Sequence, residues 1–135
     1  MAGCGDEGVA EGAVVTVYAS APLCVEAERE LGRSGQPDSV RVQVVCLAEA
    51  EDRGRLDLAT IGANARRATQ DSTTVAYIGE PAARATRFSE TILDSADILQ
   101  LSEIPGSVAM SQVLRALERS DDSSSLRESL HDELG

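Results

Sequence analysis

The residues able to do chemistry in this chain are few: three Cys, one His, and serines and acids spread along its length. Cys4, Cys24 and Cys46 show no C-x-x-C spacing, which excludes a thioredoxin-type redox pair. With a single histidine, His131, they do not make a zinc site either. His131 lies among Glu128, Asp132 and Glu133 and reads as a solvated surface residue. Ser20 and Ser102 could each act as a nucleophile, but no base accompanies them in the sequence. The expectation is a protein without catalytic activity, cofactor or metal.

Composition narrows the partners. The formal net charge is -11 and the isoelectric point about 4.4, so the chain repels phosphate backbones and nucleic acid is excluded as a partner. Aromatic residues make up 2% and Trp is absent, which leaves no stacking platform for bases or sugars. Every basic residue is Arg. A P-loop lysine, a Schiff-base lysine and the lysine of a response-regulator receiver are therefore all missing.

The elements that must position any site follow from hydrophobic patterning over 135 residues, a length that suits one domain. Residues 14–19 (VVTVYA) form a short, uncharged, β-branched run, as a strand buried on both faces requires. Pro22 can open a helix, and Leu23, Ala27 and Leu31 recur at helical spacing before GRSGQPDS (32–39) breaks it. Residues 40–47 predict a second strand and 48–55 a solvated loop. A second helix over 57–70 carries Leu58, Ile61, Ala65 and Ala68 on one stripe. TVAYIG (74–79) is a third strand, and Pro81 starts a helix with Ala85, Phe88, Ile92 and Ala96 inward. Residues 98–102 form a fourth strand, followed by a helix bearing Met110, Val113, Leu114 and Leu117. A capping box, Ser125 with Glu128, opens a short amphipathic final helix.

Alternating strands and helices imply an α/β three-layer sandwich. Its four-stranded sheet is mostly parallel, in the order 2-1-3-4, with helices on both faces and an extra C-terminal helix. Such sheets bind ligands outside the carboxyl ends of the strands, at the switch point between the first and third. That rim is Ala19–Pro22, Gly79–Ala82 and Ser102–Glu103. It lacks the acids of a receiver and the Gly-rich turn of a dinucleotide site. Glu80 is its central charge. It has two readings, a contact to a ligand's ammonium or hydroxyl group, or an acid stabilised by the dipole of the third helix. Asn64, Arg66 and Arg67 read as a solvated helix face. Tyr18 and Tyr77 read as core residues with bonded hydroxyls.

Cys24 lies just past the first strand and Cys46 near the end of the second, so neighbouring strands bring both sulfurs to one end of the sheet. In an oxidising compartment a disulfide would stabilise the domain by roughly 3 kcal/mol. The other possibility is two buried thiols acting as small hydrophobes. Cys4 stands in MAGCG (1–5), where Ala-Gly-Cys resembles the end of a bacterial lipobox with Met1 in place of Leu. That resemblance implies a lipidated Cys4, followed by a Gly-rich acidic tether to residue 13. The charged and apolar parts of such a signal would lie upstream of Met1.

A second resemblance covers about 90 of the 135 residues. VVTVYASAPL (14–23), GANARRATQDSTTVAYIGEP (62–81) and ILDSADILQLS (92–102) resemble the first lobe of type I periplasmic solute-binding proteins. The similarity is to the branched-chain amino-acid (leucine-binding) group of ABC transporters. It implies an extracytoplasmic receptor lobe over 14–119, followed by a loop and short helix over 120–135. The family usually places a small hydroxyl residue after YIG to hold the ligand carboxylate; here Ala82 and Ala83 stand near that position and Arg84 follows. The family also places Ser or Thr residues after the fourth strand, and Ser102 and Ser107, with Glu103–Ile104–Pro105 between them, are the candidates for those positions. The family clamps ligand between two lobes, whereas this sequence spans roughly one.

The resulting expectation is a non-catalytic, membrane-anchored, solute-binding-like lipoprotein for a small polar ligand such as an amino acid. Ser20, Glu80, Ala82, Ala83 and Ser102 form its site. Its implied partners are an ABC permease, or a second lobe or copy of itself. The alternative is a ligand-less interaction lipoprotein that works through an apolar stripe or the helix at 125–134.

Overall fold

A computed structural model describes residues 13–38, 40–119 and 126–134. In chain order the elements are β1 (Ala13–Ala19), α1 (Ala21–Ser34), β2 (Val40–Cys46), β3 (Glu51–Asp52), β4 (Arg55–Leu56) and α2 (Leu58–Gln70). β5 (Thr74–Ile78), α3 (Ala83–Asp94), β6 (Leu99–Leu101), α4 (Gly106–Arg119) and α5 (Leu126–Leu134) follow. The four-stranded sheet runs β2-β1-β5-β6 with every pairing parallel. This is the order expected for the four strands of the main sheet.

Helices cover both faces. α1 and α4 pack together on one face, over a core that includes Val17, Ala27, Val42, Met110, Val113 and Leu117. α2 and α3 pack on the other, over Tyr18, Ala65, Ala68, Tyr77, Leu93 and Ile98. With so few aromatics the core is built from small branched side chains. Close approach of helices replaces ring volume. At Gly106, for example, a Cβ would collide with the carbonyl of Leu23 in α1.

Three expectations need correction. Residues 48–55 are not simply a solvated loop: β3 and β4 form a two-stranded hairpin whose turn, Arg53–Gly54, has positive φ at both central residues (54° and 80°). The inward stripe of α3 is Ala85, Ser89 and Leu93, while Phe88 is 40% exposed and Ile92 only half-buried. Ser89 is tolerated in that stripe because its hydroxyl donates to the Ala85 carbonyl at 3.2 Å and receives a bond from Gln100 at 2.8 Å. The final helix is not a free surface. Leu130 is fully buried in the α1/α4 core, and the Arg127 guanidinium donates to the carbonyls of Thr74 (2.6 Å), Ala96 (3.2 Å) and Asp71 (3.2 Å). α5 thus closes the amino ends of β5 and β6. His131 accompanies it, with Nε2 2.8 Å from the Asp97 carbonyl oxygen. Ser125, the cap expected for this helix, lies outside the described residues, as does Cys4. Among the described residues, no helix is long and apolar enough to cross a membrane.

Candidate functional site

The carboxyl ends of β1, β2 and β5 open into a cavity of about 110 Å³. Ser20, Ala21 and Pro22 of the β1–α1 turn form one wall, and Glu80, Pro81 and Ala82 of the β5–α3 turn a second. Ala48–Glu51 and Leu56 close it from the hairpin side, and Ile61, Asn64 and Ala85 from the helices α2 and α3. Ala83 begins α3 and Ser102 follows β6; neither lines the cavity.

Its centre is Glu80, only 4% exposed. Tyr77 Oη donates to one carboxyl oxygen at 2.8 Å and Ser20 Oγ to the other at 3.1 Å. Burial raises the Glu80 pKa above the usual carboxylate range, and the hydroxyls of Tyr77, Ser20 and Ser89 only partly offset it. Burial, followed by the neighbouring Glu80 charge, pushes the Tyr77 phenol up as well, so Tyr77 stays a donor at any physiological pH. The helix-dipole reading of Glu80 does not describe it. α3 begins at Ala83 with no acid in its first turn, and the carboxyl turns back to β1 and β5.

The backbone around Glu80 is held at several points. The Glu103 N–H donates to the Glu80 carbonyl at 3.1 Å, and the Gly79 N–H to Leu101 at 2.9 Å. Gln100 Nε2 donates to the Gly79 carbonyl at 2.8 Å. Gly79 has φ 151°, and a Cβ there would run into Ser20 Oγ, so glycine is what lets the two turns meet.

Two corrections concern neighbouring groups. Asn64 is not on a solvated face: it is 8% exposed, and its amide donates to the Ala48 carbonyl at 3.0 Å, tying α2 to the loop after β2. Arg66 and Arg67 are exposed as expected, Arg67 lying 5.6 Å above the Tyr18 ring. Ser20 does have a carboxylate beside it.

Cys24 and Cys46 form a disulfide across a separation of 22 residues, with Cα atoms 5.5 Å apart. It ties the first turn of α1 to the end of β2, and so fixes two walls of the cavity relative to each other. Closing a loop of that length stabilises the fold by about 3 kcal/mol. Gln100, Asn64 and the hairpin acids Glu49 and Glu51 were outside the sequence-derived site. Only the Arg-Gly turn within EDRGRL (51–56) signalled any of this architecture. Compared with protein-family models, curated proteins and solved structures, the chain matches none.

Proposed function

We propose that this chain is a non-catalytic solute-binding lobe that takes a small polar ligand, such as an amino acid, into the cavity at the carboxyl ends of its strands. The observation that carries this reading is the buried Glu80 carboxyl, held by two hydroxyls at the wall of a cavity at the sheet's switch point. The Cys24–Cys46 disulfide fits an oxidising, extracytoplasmic location. In this reading Cys4 carries a lipid that anchors the lobe to a membrane, and a permease, a second lobe or a second copy completes the binding surface.

A thermal-shift screen of the oxidised protein with amino acids, short peptides and simple amides at about 1 mM tests the reading. A ligand present at 100 times its Kd adds about 2.7 kcal/mol, several degrees in Tm for a domain of this size. A shift confined to one chemical class is the expected result. No shift with any class would move the search to protein partners.

A further inference from the structure

Resting on that solute-binding reading, we propose that the cavity selects a positive group: an alkylammonium or guanidinium paired with Glu80, on a ligand that needs no carboxylate of its own. All charged residues lining the cavity are acids, namely Glu49, Glu51 and Glu80. Among the described residues no arginine forms a salt bridge with Glu80; its partners are the neutral hydroxyls of Tyr77 and Ser20. A carboxylate offers about four lone-pair sites, so two bonds leave capacity for a ligand. Asn64 adds to the same polarity. Its amide nitrogen is used on the Ala48 carbonyl, which leaves its oxygen as a second acceptor on the cavity lining.

A site that offers acceptors calls for a ligand group that only donates. Ammonium and guanidinium groups are donors without acceptors. A carboxylate brought to the same wall would meet three like charges. The remaining lining, Pro22, Ile61 and Ala85 among it, suits a short alkyl stem, and the volume of about 110 Å³ limits that stem to a few atoms. The opening turns of α1 and α3 offer backbone N–H donors towards the same rim, so a zwitterion is the competing ligand.

Titration calorimetry of the full oxidised chain at constant ionic strength separates these cases, using a matched three-carbon set: n-propylamine, propionate and alanine, with methylguanidine alongside. The expected result is binding of propylamine and methylguanidine, and no binding of propionate. Glu80→Gln should weaken the amine by about tenfold or more. In the wild type, affinity should fall as pH is lowered and Glu80 gains a proton. Glu49 and Glu51 also face the cavity, from the hairpin side; Tyr77 stays protonated throughout and does not contribute to the slope. The pH arm needs no variant, so it holds even where Glu80→Gln fails to fold by circular dichroism.

Binding of propionate or alanine in preference to the amines overturns the cation assignment and leaves the solute-binding reading standing. Amine binding that is unchanged in a folded Glu80→Gln protein also overturns it. No binding by this set or by the amino acids, peptides and amides overturns both.

Discussion

Tyr18 and Tyr77 lie side by side in register on β1 and β5, and each hydroxyl donates to a carboxylate at 2.8 Å. The two pairs serve opposite ends of the sheet. Tyr18 reaches Asp71, ahead of β5, where α5 closes the amino ends of the strands. Asp71 also accepts from the Thr73 N–H at 2.9 Å and the Thr73 hydroxyl at 2.7 Å, with the Arg127 guanidinium beside it. Burial there would raise its pKa, but the Thr73 and Tyr18 bonds and the Arg127 charge outweigh it and hold the carboxyl below the usual range. At Glu80 burial wins and the pKa rises. The same tyrosine–carboxyl pair is therefore a finished structural joint at one end and a buried carboxyl without a counter-charge at the other.

The closed end should yield the largest losses. Arg127→Ala removes three bonds to backbone carbonyls and the tie between α5 and the sheet. A cost of about 3 kcal/mol is expected, read as a fall in Tm of roughly 10 °C. Ligand binding by the remaining folded protein should be unchanged, because Arg127 is remote from the cavity lining. Asp71→Asn should cost less, about 1–2 kcal/mol, by weakening the bonds from Tyr18 and Thr73. Its pH dependence sharpens the contrast. The folded pKa of Asp71 lies below 3.8, so its contribution is present above that value and is lost as pH falls through the folded value. Acid unfolding monitored by circular dichroism should be shallower in Asp71→Asn than in the wild type.

The sheet was legible because its order depends on alternation and on short uncharged runs such as VVTVYA and TVAYI, which are local signals. The phase of α3 was not. Phe88 is the largest apolar residue there and draws the predicted stripe toward itself, whereas the buried positions are Ala85, Ser89 and Leu93. Ser89 enters the core only because Gln100, from a different element, satisfies it. Asn64 was misplaced for the same reason: its partner is the Ala48 carbonyl, 16 residues away. Ser20 and Glu80 were readable as rim residues from strand ends alone. That they touch depends on Gly79 admitting Ser20 Oγ, a contact between two turns that no single stretch of sequence displays.

Glu80→Gln gives the smallest change in stability and the most decisive one for the contrast. The folded pKa of Glu80 lies above its ordinary value of 4.5. Between those two pH values the folded state binds more protons than the unfolded state, so stability falls as pH rises through the folded pKa. Deprotonating Glu80 in the folded state therefore carries a cost that no counterion offsets. Glu80→Gln removes that cost, and its amide keeps an oxygen to accept from Tyr77 or Ser20. The variant should melt no lower than the wild type at pH 7. Its advantage should shrink as pH is lowered through the folded pKa and the wild-type carboxyl gains its proton. Thermal melts of both proteins across that range read the effect directly. A drop at pH 7 as large as that of Asp71→Asn would make Glu80 a second structural joint, and the two ends of the sheet would then no longer differ in kind. A variant that is more stable, yet blind to amines, would show that the chain keeps the Glu80 carboxyl at the expense of stability because that carboxyl is what the ligand meets.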